Sequence, residues 1–179
     1  MKKVLFFIFT LLISCMNLHA KWFDVSKKVR VFLNVPNNYT ILKDKWGVPL
    51  MLYGPKSPKG GRISLSVMPT PYTVKKFDKK ELKSTQGEFR EARKRHLSKV
   101  NGEAVKFFPY EVKKWKGVKE VHTIGYQFKL KNILYTENSF YFQCNNQFFV
   151  MKSLYRENSF GDQRDSINNL VSSFKCGKR

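Results

Sequence analysis

The side chains best suited to chemistry are few and widely spaced. The chain has three histidines, His19, His96 and His122, and three cysteines, Cys15, Cys144 and Cys176. Zinc is held by clusters of His and Cys, with at least one pair at short spacing; no such pair occurs, so the sequence gives no metal site. General acid–base work needs carboxylates brought together. The thirteen acids are scattered, most beside a Lys or Arg, as in Glu91-Ala92-Arg93 and Lys119-Glu120, which reads as solvated ion pairing. Phosphate-binding loops, dinucleotide fingerprints, nucleophile elbows and zincin motifs are all missing, so no catalytic residue and no cofactor are assigned. His96 lies on the apolar side of an expected helix and His122 alternates within an expected strand, the settings of packed structural histidines. An enzyme assembled from scattered residues, His96 or His122 among them, is the rival reading.

Charge carries more information. Lys and Arg number 34 against 13 Asp and Glu, a formal net charge of +21. The first twenty residues hold two lysines and no acid, so without them the chain carries +19. Such a field concentrates anionic partners and weakens with salt; a lysine-rich proteome would also produce it. Two clusters stand out. Lys83, Arg90 and Lys94 share one side of the expected helix, and Lys113-Lys114-Trp115-Lys116-Gly117-Val118-Lys119 sets a tryptophan among four lysines. The second could rest on an anionic membrane surface with Trp115 at headgroup level, or be a hairpin loop whose Trp folds back onto the sheet. The expected partner is an anionic envelope component or an acidic protein. Basic residues interleaved with aromatics also suit single-stranded nucleic acid, but the amino terminus argues against it.

That terminus reads Met1-Lys2-Lys3, then an apolar run from Val4 to Ile13 broken only by Thr10. The run is about half the ~20 residues of a membrane-spanning helix and has the form of a secretory signal. Residues 1–20 are expected to be that signal and 21–179 a single domain, periplasmic, membrane-anchored or secreted. Two cleavage sites compete. Leu12-Ile13-Ser14-Cys15 resembles a lipobox, with Cys15 lipidated; Leu18-His19-Ala20 offers a cut after Ala20, which would suit a secreted effector or inhibitor. Cys144 and Cys176 remain in either case, and two thiols in an oxidising compartment are expected to pair.

The elements follow from periodicity. Val29, Val31, Leu33 and Val35 alternate as a strand ended by Pro36-Asn37-Asn38. Trp46 to Tyr53 reads as an edge strand because of Pro49, and Ile63, Leu65 and Val67 form the inner face of the next. Asp78 to Val100 reads as a helix capped by Asp78, stopped near Gly102, with Leu82, Phe89, His96 and Val100 on its apolar face. Arg93 sits inside that face without an explanation in the sequence. Strands follow over Val105 to Tyr110 and Lys119 to Leu130. A hairpin turns at Asn145-Asn146 between Phe140 and Tyr155, and Asp162 to Phe174 forms a closing helix.

This order resembles the PsbP-like and DcrB-like envelope domains over roughly Val29 to Phe174. The opening strand ending Val35-Pro36-Asn37-Asn38-Tyr39, the central helix between two sets of strands, and a final hairpin entering a helix that ends Val171-Ser172-Ser173-Phe174 carry the likeness. The resemblance implies an α+β fold, a mostly antiparallel sheet flanked by helices, and a non-catalytic accessory role, with no catalytic residues to carry over.

Overall fold

Alternation of apolar and polar residues dominates the observed architecture. The structure is a computed structural model that describes residues 18–57, 60–71, 79–115, 117–157 and 161–179. Asp78, Lys116 and residues 1–17 of the expected signal, Cys15 among them, lie outside the described residues, whereas Leu18–Ala20 begin β1. The elements are β1 (Leu18–Asp24), β2 (Val29–Pro36), β3 (Thr40–Lys45), β4 (Val48–Tyr53), β5 (Ser64–Pro69), α1 (Lys79–Ser98), β6 (Gly102–Phe107), β7 (Glu111–Trp115), β8 (Val118–Leu130), β9 (Ile133–Cys144), β10 (Gln147–Arg156), α2 (Gly161–Ser172) and β11 (Lys175–Lys178). All strand pairs are antiparallel. They form a three-stranded sheet, β1-β2-β11, and an eight-stranded sheet, β3-β4-β5-β10-β9-β8-β6, with β7 also on β8. The α+β expectation holds.

The main core lies between the small sheet with α2 and one face of the large sheet. Val29, Val31, Leu33 and Val35 of β2 meet Leu50, Leu52, Leu65, Val67, Phe142, Phe149 and Met151 there, with Ile167 and Leu170 of α2. Hydrogen bonds tie α2 into place: Asn34 N donates to Ser173 Oγ at 2.9 Å, and Tyr39 Oη lies 2.8 Å from Ser166 Oγ. The opposite face of the large sheet carries α1, over a second cluster of Leu97, Tyr126 and Phe128 with Phe89 and Phe107 beside them.

Several expectations are corrected. β4 is interior, paired with β3 and β5, so the edge position expected from Pro49 belongs to β3. Pro49 is tolerated because β5 pairs only with Leu50–Tyr53. On α1 the inward residues are Phe89, Arg93 and Leu97, whereas His96 and Val100 are exposed. Arg93 belongs on that face because its guanidinium pairs with Glu137 at 3.4 Å and lies over the Phe89 and Tyr126 rings. The helix ends at Ser98, and Asn101, with a φ of 54°, takes the left-handed conformation in the turn before Gly102. The Asn145-Asn146 turn appears as expected, both residues at positive φ, and Lys131-Asn132 makes the same kind of turn between β8 and β9.

Candidate anion-binding end of the molecule

Register shows how distant lysines meet. One row across the large sheet runs Lys43–Leu50–Val67–Met151–Phe140–Thr123–Glu111. Beyond it, toward one end, lie the turns joining β3 to β4, β9 to β10 and β7 to β8. The small sheet contributes to the same end: Ser26 Oγ donates to Gln147 Oε1 at 2.6 Å, and Asn145 Nδ2 donates to Gly177 O at 3.0 Å. Cys144 and Cys176 form a disulfide there, as expected. Exposed Lys27, Lys28, Lys45, Lys114, Lys119, Lys178 and Arg179 therefore crowd one end of the molecule. Of the acids nearby, Asp24 is paired with Arg179 at 3.4 Å.

Lys113, Lys114 and Trp115 belong to β7 and pair with the start of β8, so β7 and β8 are antiparallel partners here. A bulge between Lys113 and Trp115 puts both Val118 and Val121 into the main core. Trp115 does not stand at a headgroup position. Its ring packs 5.2 Å from Phe174, 5.3 Å from Phe140 and 6.2 Å from Phe142, completing an aromatic cluster under the hairpin. Lys113 pairs with Glu111 at 2.8 Å, while Lys114 and Lys119 are exposed.

Beside this hairpin a cleft of about 570 Å³ opens between β7, the sheet and the last turn of α2. Lys113, Lys114 and Trp115 line it together with Asn138, Asn168 and Ser172. That volume is within the range of small-molecule sites. Its floor depends on Gly125: a Cβ there would lie 2.4 Å from Asn138 Oδ1 and 2.8 Å from Glu137 O.

The helix cluster stays apart from this end. Lys83, Arg90 and Lys94 are exposed on α1, which packs on β6. β6 pairs with β8 from Tyr126 to Leu130, and β7 pairs with it from Val118 to Thr123. The helix cluster thus lies on the face of the large sheet that carries Tyr126 and Phe128, away from the face that holds the main core. Lys94 is held by Glu91 at 3.0 Å, and Arg90 lies 5.8 Å over the Phe107 ring.

The two histidines part company. His96 is exposed; His122 is 3% exposed, its Nδ1 hydrogen-bonded to the Tyr110 hydroxyl and its Nε2 3.6 Å from Glu120 Oε2. Burial lowers the His122 pKa below its ordinary value, against the opposing pull of Glu120, so the ring is neutral at pH 7. Tyr110 is pushed up to about 12, by burial first and then by Glu120. Among the described residues no group of three or more His, Cys, Asp or Glu could hold a metal ion.

Comparison of the whole architecture with solved structures identifies it. The solution structure of cyanobacterial PsbP (CyanoP) from Synechocystis sp. PCC 6803 is similar with a TM-score of 0.53 and 12% identity, over 80% of this chain and 85% of that one. The fold is PsbP-like. A second PsbP-like neighbour is LpqN, described as involved in cell envelope biogenesis of Mycobacterium tuberculosis, with a TM-score of 0.50, 15% identity and 83% of each chain covered. No family model matches the sequence, and no curated protein aligns with it. At such identities the likeness establishes the PsbP-like fold and leaves function to the residues of this chain.

Proposed function

We propose that the protein is an exported, non-catalytic domain of the cell envelope, held by a lipid on Cys15, which docks an anionic partner with its basic end. The observation that carries this reading is the convergence of exposed Lys27, Lys28, Lys45, Lys114, Lys119, Lys178 and Arg179 from separate turns and the chain end. Like charges brought together by folding repel one another, and an anionic partner relieves that repulsion. The neighbouring cleft offers amides, hydroxyls and lysines to an acidic group of the same partner. Lipid attachment at Cys15 is supported by β1. Its ladder begins at Leu18, so cleavage before Cys15 keeps the strand whole, whereas cleavage after Ala20 removes three of its residues.

The test is affinity for a soluble polyanion such as heparin at low and at physiological ionic strength. Lys114→Gln with Lys119→Gln and Lys178→Gln is expected to weaken binding and flatten its salt dependence. Lys83→Gln with Lys94→Gln, on the separate helix cluster, is expected to leave both unchanged. Binding indifferent to salt, or weakened equally by both sets, refutes the basic end as the docking site.

A further inference from the structure

Trp115, the aromatic that the sequence placed among lysines, is half-buried against the core; the most exposed tryptophan is Trp46, 80% accessible at the turn between β3 and β4. Lys45 pairs with Val48 across this turn, leaving Trp46 and Gly47 as its two central residues, with φ of 52° and 75°. The first position of such a turn favours Asn, Asp or Gly, and a bulky side chain at positive φ is strained. A large, amphipathic ring is thus held in water in an unfavourable backbone conformation. Packing within the fold offsets neither cost, and backbone strain of this kind concentrates at functional positions.

The surroundings of Trp46 point to its partner. β3 is the edge strand of the large sheet and β1 is an edge strand of the small one. They share one side of the molecule: β1 contacts β4, and Lys43 Nζ lies 5.8 Å over the Phe23 ring. Exposed Lys21, Lys43 and Lys45 line this side. Trp22, 43% exposed, lies beside it with the Arg30 guanidinium 4.6 Å over its ring. Lysines on an edge strand also guard it against pairing with another chain, but they give no reason for a tryptophan at the tip. Tryptophan and lysine together are the residues that settle at the headgroup level of an anionic leaflet.

Chain connectivity agrees. β1 starts at Leu18, opposite Pro36, at the end of this side away from Trp46. Cys15 is three residues earlier, a reach of no more than about 10 Å. A lipid there would set one end of the β1–β3 side against a bilayer and leave Trp46 to seat the other.

We infer that the β1–β3 side is a membrane-seating edge for anionic lipid, with Trp46 at headgroup level and Lys43 and Lys45 on the lipid phosphates. The inference rests on the export reading above and names a second surface, which meets the basic end at Lys45 but does not include Lys114, Lys119 or Lys178.

The test uses the full chain with vesicles of phosphatidylcholine alone or mixed with phosphatidylglycerol, with and without brominated acyl chains that quench tryptophan emission. The apolar amino-terminal run acts alike on all variants, so the readouts are quenching and the preference for anionic over neutral vesicles. Wild type is expected to be quenched, and Trp46→Asn, which suits the turn, to lose most of that quenching. Neutralising Lys43 and Lys45 together (K43Q/K45Q) is expected to reduce the anionic preference about thirtyfold, while Lys83→Gln with Lys94→Gln retains it. Equal quenching of wild type and Trp46→Asn, or an unchanged preference in K43Q/K45Q, overturns the seating edge. If that happens while heparin binding still depends on Lys114 and Lys119, the docking function stands and the lipid inference falls. If quenching and preference behave as expected but heparin ignores Lys114 and Lys119, the edge stands and the docking end falls.

Discussion

Replacing Cys144 and Cys176 together by alanine removes the one covalent link between the β9–β10 hairpin and β11. The two residues are 32 apart in sequence. Chain-entropy loss for a loop of that size, about 2.1 plus 1.5R ln n in cal/mol/K, gives a stabilisation of about 3.7 kcal/mol at 25 °C. The local structure adds to this. β11 is four residues long and pairs only with β2; without the bridge, its position rests on that short ladder, the Asn145–Gly177 hydrogen bond and the packing of neighbouring side chains. Alanine suits the test because Cys144 is 1% exposed and a serine hydroxyl would be buried there. Urea unfolding in oxidising buffer, followed by far-ultraviolet circular dichroism, measures the change. The expected result is a loss of about 4 kcal/mol, together with a larger m-value as the unlinked unfolded chain expands. Wild type with reductant should approach the variant. A loss under about 1 kcal/mol, or two titratable thiols in the oxidised wild type, refutes the reasoning.

Gly125→Ala forces a methyl against Asn138 and the Glu137 carbonyl and is expected to cost about 2–3 kcal/mol; a urea midpoint equal to wild type would show that the sheet gives way freely. Arg93→Ala leaves Glu137 without its guanidinium between α1 and the sheet, at a cost of about 2 kcal/mol, moderated because the pair is partly solvated. A double-mutant cycle with Glu137→Gln should give a coupling of about 1 kcal/mol, and zero coupling would make the pair incidental. For His122 the folded-state pKa is depressed, so the unfolded chain takes up the proton first as pH falls. Its contribution is complete above the unfolded value of about 6.5 and is lost below it, at no more than about 1.4 kcal/mol per pH unit. Urea midpoints between about pH 7.5 and 5.5 should fall in wild type and stay flatter in His122→Gln; matching slopes would assign the loss to other groups.

What the sequence made legible follows from how strongly each segment depends on its own pattern. β2 and β5 are sandwiched against the core, so strict alternation wrote them into the sequence, and the Asn145-Asn146 turn needed only local chemistry. β3, β7 and β11 left no such mark. β3 and β7 are edge ladders with mostly exposed side chains, and their strand character comes from the partner beside them. β11 is too short for periodicity to register. The face of α1 was misread by about one residue because Arg93 is inward for a reason that lies in Glu137, 44 positions away. The site divides the same way. That lysines abound near Trp115 is plain from the sequence, yet the meeting of Lys45, Lys114, Lys119 and Lys178 depends on the register of two sheets. Trp46 was hidden because nothing local reveals a positive φ at a tryptophan.

β1 bears on the cleavage question in a way that can be measured. Leu18, His19 and Ala20 pair with Pro36, Val35 and Asn34, so a chain beginning at Lys21 keeps only Lys21–Asp24 against Leu33–Arg30. Ala20 is exposed, so what its loss removes is mainly backbone pairing. With a net worth of about 0.5–1.5 kcal/mol for each hydrogen bond, less the entropy regained by a freed terminus, the expected cost is about 1 kcal/mol. Two purified chains, beginning at Cys15 and at Lys21, should therefore differ in urea midpoint, with the longer one more stable and its β1 amides slower to exchange hydrogen. On the proposed reading, cleavage before Cys15 keeps Leu18–Ala20 in the β1 ladder, and intact-mass measurement of the protein recovered from the envelope should find the acylated cysteine at its start. Equal stability of the two chains, with native material beginning at Lys21, would remove the lipid from the seating edge.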